Sequence, residues 1–505
     1  MILMMGMLLV FYAVVVGILY VTQKTDHPNF EEYAVGNRSY GPIYIAASYI
    51  NSWWPGSTWT AFFGLAAGSG VFGLYGLAYS IVGVATMYFM ATRAWRWGSV
   101  YDLRTQPDLI GLRFDSDWAK KIASFIGVVS LFPWVILGMQ ALGTLFDYAG
   151  DGHWGIKTSL FIGLAAIVIR QFWTVKMGMR GLILTDVFQS IVAYGGTALI
   201  AVLMMLGVGG SPISITDVSN VAGDYLKMPG DGGTYGPLYI FALIFTGVIG
   251  SLCWPTSFQR IYTASGVRAV KKGTVQTAFL SGLFYTLLMF IGLAVASTGL
   301  AADNPQVGWF TVMNDWGGTF FLGLAIVIVF AASMGHIDAS VQVSGLQIAN
   351  DLVQGKERKL SDAQLTRISK ASMAVFMILA AVLAYATRDM SRMQLLAQMS
   401  YQGIVQLAVP LFLGIFWRGG NKYGAISGMV GGFATAAVLT WIFPDDIHAL
   451  GSLTGGIVGL AVNLVLFFVV SAITGRTDEE KARVDEFFDV AAGKKKPVLT
   501  TDLVV

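Results

Sequence analysis

Long apolar runs follow one another almost without interruption between residues 2 and 474. A helix needs about 20 mostly apolar residues to cross a bilayer. Thirteen stretches are candidates: 2–22, 42–67, 71–95, 122–148, 157–170, 182–206, 236–253, 276–300, 318–345, 369–387, 395–417, 423–443 and 450–474. The fifth is short, and its apolar character runs on toward Trp173. A membrane barrel would instead alternate apolar and polar residues over segments of about 10 residues. The expectation is an all-α polytopic membrane protein. The first stretch has no basic n-region and no small-residue cleavage site before Gln23-Lys24-Thr25, so it reads as a retained span and not as a signal peptide.

Composition closes off the alternatives. Only 12% of the 505 residues are charged, about half of what soluble domains carry. A soluble chain of this length would split into several domains, each needing a charged skin. A soluble enzyme and a disordered chain are thereby excluded. A net charge of +3 points to no nucleic-acid partner, and Cys253, the sole cysteine, to no disulfide framework. No G-x-x-x-x-G-K-[ST] stands anywhere, against an ATP-driven pump, and neither H-E-x-x-H nor G-x-S-x-G occurs, against a membrane enzyme.

Lys/Arg placement sets the orientation. With the N-terminus outside, the inner loops and adjoining span ends hold all of the 32 Lys/Arg except Lys157, Lys227, Arg388 and Arg392. The reading is N-out/C-in, with one transmembrane body over 1–475 and a cytoplasmic tail over 476–505. Glu479–Phe488 has an amphipathic pattern, but a solvated tail is the preferred expectation.

Ionisable groups inside the membrane are functional candidates, because burying them unpaired costs several kcal/mol. Here they are Asp186, His336 and Asp338. His336 and Asp338 are two apart and point about 200° apart on an ideal helix. Asp186 follows Arg180 closely enough to pair with it or to cap a helix. In the second span, Asn51, Ser52, Ser57 and Thr58 flank Pro55-Gly56. Proline removes a backbone donor and breaks the helix, and freed carbonyls are tolerated only where they line a cavity. An interrupted helix with polar flanks points to an ion and solute site; the alternative is a simple proline kink. Trp53 and Trp54 stand at that break.

Several segments resemble the sodium/solute symporter family. They are Phe30-Glu-Glu-Tyr-Ala-Val-Gly-Asn-Arg-Ser-Tyr-Gly41, Trp97-Gly98 with Thr105-Gln-Pro-Asp-Leu-Ile-Gly-Leu-Arg-Phe114, Gly178-Met-Arg-Gly-Leu-Ile-Leu-Thr-Asp-Val-Phe-Gln189, Gln259-Arg260 with Ala269-Val-Lys-Lys-Gly273, and Pro410-Leu-Phe-Leu-Gly-Ile-Phe-Trp417 with Gly424-Ala425. They run in order from about residue 30 to about residue 430. The resemblance implies two inverted five-helix repeats, spans two to six and seven to eleven, forming a core over about 42–417. The first helix of each repeat would be broken, at 51–58 and at Gly250-Ser-Leu-Cys-Trp-Pro255. Solute would lie between them, against Trp53, Trp54, Ser57, Thr58, Ser251 and Trp254.

The resemblance also implies a sodium site. Its carbonyls fall on Asn51, Trp54 and Ala332, and its two hydroxyl positions fall on Gly335 and His336, which carry no hydroxyl. Sodium wants hard oxygen ligands, as other hard cations do. Ser333, Asp338 or Ser340 would serve if the register slips; otherwise Asp186, His336 or Asp338 would carry a proton or second ion. The expected function is a sodium-coupled symporter of the bacterial-type inner membrane, importing a small organic solute such as a monocarboxylate or amino acid, with no cofactor beyond the coupling ion. Proton coupling through His336 or Asp338, a transporter-like sensor and a passive channel are the alternatives.

Overall fold

A computed structural model describes residues 1–23, 29–221, 223–227, 235–355, 359–388 and 400–494. The described residues form helices and no strands. In chain order the main helices are α1 Ile2–Thr22, α2 Pro42–Trp53, α3 Ala61–Ser69, α4 Tyr75–Val100, α5 Gln106–Phe114, α6 Asp117–Gly150, α7 Ile156–Met177, α8 Met179–Met205, α9 Tyr239–Gly250 and α10 Pro255–Thr263. They continue as α11 Val267–Thr298, α12 Gly308–Gln347, α13 Asp362–Ala386, α14 Ser400–Phe416, α15 Lys422–Ile442, α16 Gly455–Thr474 and α17 Asp478–Ala492.

Eleven helical stretches among the described residues are long and apolar enough to cross a membrane. The difference from thirteen lies in two places. The 42–67 run is cut in two, so that neither α2 nor α3 has membrane-crossing length, and α14 is one of the shorter apolar helices. Residues 395–399 of that eleventh run lie outside the described residues. The fifth run, read as 157–170, continues as helix to Met177.

The two interruptions follow one rule. A residue before proline is pushed out of the α region by the proline ring. Trp54 accordingly turns extended (φ −101°, ψ 100°) before Pro55, and the chain resumes through a tight turn, Gly56–Trp59. Trp254 does the same before Pro255 (φ −66°, ψ 120°), ending a short turn after α9 and starting α10. Both breaks lie inside the bundle: Trp54, Ser57, Thr58, Ser251 and Trp254 are all buried. Two other long helices are locally irregular. α8 carries a π turn over Ile191–Gly195, and α12 kinks at Gly317–Gly318, where Gly318 takes a positive φ of 57°.

The tail departs from the solvated segment expected. Thr477 and Glu480 form a capping box, and Gly493 in the left-handed region ends α17. Val484, Phe487, Phe488, Val490 and Ala491 are buried along one face. Phe487 stacks on Trp97 at 4.0 Å, and the Trp97 Nε1–H donates to the Phe487 carbonyl at 2.7 Å. An apolar stripe at helical spacing found a fitting surface on α4, and its burial outweighs solvation of the charged opposite face. Residues 495–505 lie outside the described residues.

At the same end of the bundle, α5, α6 and the π turn Ile348–Val353 that follows α12 share a buried polar cluster. Lys120 Nζ lies 2.6 Å from Asp108 and 3.5 Å from Asp351. Thr105 donates to Asp351 at 2.8 Å, and the Asn350 amide donates to Asp108 at 2.9 Å.

Candidate solute and cation site

The C-terminal end of α2 and the N-terminal end of α10 meet at one small chamber of about 20 Å³. Its walls include Ser52 and Trp53 from α2, Trp134 from α6, Trp254 before α10, His336 from α12 and Tyr401 from α14. Thr256 and Ser257, in the first turn of α10, complete it. Trp254 meets Tyr401 edge to face at 5.2 Å, and Trp134 meets Tyr401 the same way at 5.9 Å. Trp134 and Tyr401 also line a second cavity of about 40 Å³, whose walls include Ser57, Phe62, Tyr75 and Tyr79. The two rings therefore stand between two spaces.

The solute residues expected from sequence do not all reach these spaces. Trp53 and Trp254 are walls of the first and Ser57 of the second. Trp54 turns away: its indole N–H donates to Ser281 Oγ at 2.6 Å and its ring packs on Tyr285 at 4.8 Å. Ser251 donates to the Gly83 carbonyl at 3.0 Å, tying the second break to α4. Thr58 is buried, with no hydrogen-bond partner for its hydroxyl.

The five positions assigned to sodium are arranged differently from an oxygen shell. The Tyr194 hydroxyl donates to the Trp54 carbonyl at 2.7 Å; the Ile50 carbonyl lies 3.2 Å away and Asn51 Oδ1 3.5 Å. The Asn51 amide donates to Asp186 at 2.7 Å and to Gln189 at 3.0 Å. That same amide explains Gly335, because a Cβ there would collide with the Asn51 side chain. His336 bonds through Nδ1 to the Ser52 carbonyl at 2.9 Å, while its Nε2 is buried without a hydrogen-bond partner. Ala332 is fully buried. Of the alternatives, Ser333 faces Gly56 and Ser340 is buried; neither hydroxyl has a partner.

Both intramembrane carboxylates are held by arginines that sequence reading had counted among the charges of inner loops and adjoining span ends. Arg170 lies 2.6 Å from Asp338, both side chains essentially without exposure, and the Gln171 amide donates to Asp338 at 2.5 Å. Asp186 accepts from Ser48 at 2.5 Å, with Arg260 at 3.8 Å. The suggested Arg180 pairing does not form; Arg180 donates to the Thr22 carbonyl at 3.3 Å. Its side chain runs toward the end of α1, whereas Arg260 descends from α10 beside Ser48. His336 and Asp338 thus take partners on different helices, α2 and α7. Sequence reading also missed Trp134, Tyr194 and Tyr401. They sit in apolar runs where an aromatic ring looks like filler. The usable signal was the count of buried acids, each of which demands a nearby cation.

Comparison with known proteins adds a family. The model described as "Sodium:solute symporter family" matches residues 33–432. An uncharacterised symporter of Bacillus subtilis, YodF, is 22% identical over 476 residues, covering 92% of each chain. A sodium/proline symporter of Staphylococcus aureus is 26% identical over 518 residues, covering 94% of each. Among solved structures, the substrate-bound outward-open state of a Na⁺-coupled sialic acid symporter superposes with a TM-score of 0.74 at 16% identity, covering 93% of this chain and 98% of that one. The closed, bromovinylhydantoin-bound form of Mhp1, a nucleobase-cation-symport-1 family transporter, gives 0.56 at 14% identity, covering 92% and 100%.

Proposed function

The chain belongs to the sodium:solute symporter family, and on that premise we propose that this multi-pass membrane protein is a sodium-coupled importer of a small organic solute. Its setting is the plasma membrane. The topology proposed is thirteen spans, N-out/C-in, in two inverted five-helix repeats, with a cytoplasmic tail over 476–505. One observation carries the reading: two helices broken by the same Trp-Pro device bring opposite helix ends to one aromatic-walled chamber. Opposed half-helix termini in mid-bundle are the expected cradle for a solute and its coupling ion.

Solute sits in the chamber against Trp53 and Trp254, with Trp134 and Tyr401 between it and the second cavity. Sodium sits beside the first break, near the carbonyls of Asn51 and Trp54 and near Ala332, and the Tyr194 hydroxyl adds an oxygen there. Binding of both favours closure on one side and opening on the other. Such coupling requires each ligand to prefer one state, since a ligand that binds both equally shifts nothing. The relatives bear on solute class: one carries proline by name, which agrees with a monocarboxylate or amino acid here.

Proton coupling through His336 is the second reading, favoured by its unpartnered Nε2 and by the lack of a side-chain hydroxyl at 335 and 336. Asp338 is less suited to that role because Arg170 already neutralises it. The test is uptake into proteoliposomes of labelled pyruvate, lactate, acetate, alanine, proline and glucose. A sodium gradient alone and a proton gradient alone are compared. Accumulation above the outside concentration under sodium alone is expected; accumulation only under the proton gradient would move the coupling to His336.

A further inference from the structure

The chamber has two chemically distinct ends, and resting on the transport reading above we infer that it selects solutes carrying a hydrogen-bond donor next to a carboxylate. That class is the small 2-hydroxy and 2-amino acids, in preference to 2-oxo acids and unsubstituted acids.

The donor requirement comes from His336. A backbone carbonyl is only an acceptor, so the ring nitrogen 2.9 Å from the Ser52 carbonyl must carry the proton. In the neutral ring, Nε2 then presents a lone pair. The residue is 95% buried, Nε2 has no hydrogen-bond partner, and the ring is part of the chamber wall. The bond to Ser52 fixes both tautomer and orientation. Nε2 itself is covered while the chamber is closed, so a solute reaches it only as the aromatic walls move aside, and then satisfies it only by donating to it. A hydroxyl or an ammonium does so; a keto oxygen sets lone pair against lone pair, and a methylene leaves the nitrogen bare.

The carboxylate requirement comes from α10. No side chain caps its N-terminus, and Pro255 at its first position has no N–H. The N–H groups of Thr256 and Ser257 lie in the first turn, which helix geometry leaves without intrahelical partners. Both residues wall the chamber. The positive end of a helix favours an anion. His336 and the α10 terminus therefore address two neighbouring groups of one molecule, and Trp53, Trp134, Trp254 and Tyr401 enclose its apolar remainder. A chamber of about 20 Å³ is roughly the space of one water, so the rings move aside for any solute and a compact one is favoured.

The experiment uses the full-length protein in proteoliposomes and a matched three-carbon series: lactate, alanine, pyruvate and propionate, with proline as a cyclic 2-amino acid. The expected result is that lactate, alanine or proline is taken up with a kcat/KM about 100-fold or more above pyruvate and propionate, because a site built to hydrogen-bond a donor rejects analogues lacking it. His336→Gln offers either an amide N–H or an amide oxygen at that place, and the preference should fall to within about tenfold. Wild-type uptake of pyruvate or propionate within tenfold of the others overturns the inference, as does an unchanged preference in His336→Gln. The wild-type series decides the matter if the variant fails to fold. If none of the five acids accumulates while glucose does, the inference falls and the transport reading stands; if nothing accumulates under any gradient, both fall.

Discussion

Replacing Asp338 with Asn tests whether that carboxylate is structural or a carrier of coupling charge. Asp338 and Arg170 meet at 2.6 Å with side-chain exposures of 1% and 0%. Two unit charges with centres about 4 Å apart attract by about 4 kcal/mol at an effective dielectric of about 20. Removing one partner strands the other, and breaking a buried pair in this way costs about 3–5 kcal/mol. Asp338→Asn should therefore raise the opened population by about two to three and a half orders of magnitude. Cys253, the sole cysteine and buried, supplies the assay: a thiol-reactive fluorophore reports each opening in purified protein. The Arg170→Gln/Asp338→Asn double variant should regain more than half of the loss, since no bare charge remains. An Asp338→Asn protein of wild-type stability that has lost coupled uptake would refute the reasoning and return Asp338 to the coupling pathway. A double variant no better than the single would refute it too.

Three further outcomes follow from the packing. Gly335→Ser places a side chain where the Asn51 amide lies, so it should destabilise the protein by about 1–3 kcal/mol from overpacking; adding Asn51→Ala should relieve much of that, read by the same thiol assay. Phe487→Ala removes the ring stacked on Trp97 and should cost α17 about 3 kcal/mol of docking, seen as proteolysis within 478–492 while the rest of the chain stays intact. Burial alone would raise the Asp108 pKa, but Lys120 and the Arg104 backbone N–H outweigh it and hold the carboxyl below its ordinary value. A depressed acid adds stability that is present above its unfolded pKa of about 3.9 and is lost as pH falls through the lower folded value. Opening of the cluster at Asp108 should therefore increase steeply below about pH 4, and Asp108→Asn should flatten that acid limb.

Much of the bundle was legible because apolar length and proline are local signals. Pro55 and Pro255 each end a helix, and both breaks fell where they were expected, although Pro133 is carried inside α6 without a break. What escaped depends on which helix faces which. Arg170 and Arg260 lie at span ends, where Lys and Arg normally face water, so counting them as loop charges was reasonable; only the fold sets them against Asp338 and Asp186. Gly335 read as a missing cation ligand, yet its small size makes room for Asn51, which is 284 positions earlier in the chain. Tyr194 sits in an apolar run and gives no sign that its hydroxyl will meet the Trp54 carbonyl. The tail was misjudged for a related reason. A single amphipathic helix is as consistent with solvent on both faces as with docking until Trp97 is seen to offer a surface.

The most direct measurement of the central claim, that solute and sodium move together, is charge displacement on a supported membrane carrying the full-length protein. A net-neutral solute from the uptake series (alanine, proline or glucose), whose passage moves only the charge of sodium, is applied by rapid exchange, first in sodium buffer and then in buffer with choline replacing sodium. A solute-triggered inward current should be present in sodium and absent in choline. An equal current in choline, or uptake of the same neutral solute with no current in either buffer, would contradict the joint movement of solute and sodium.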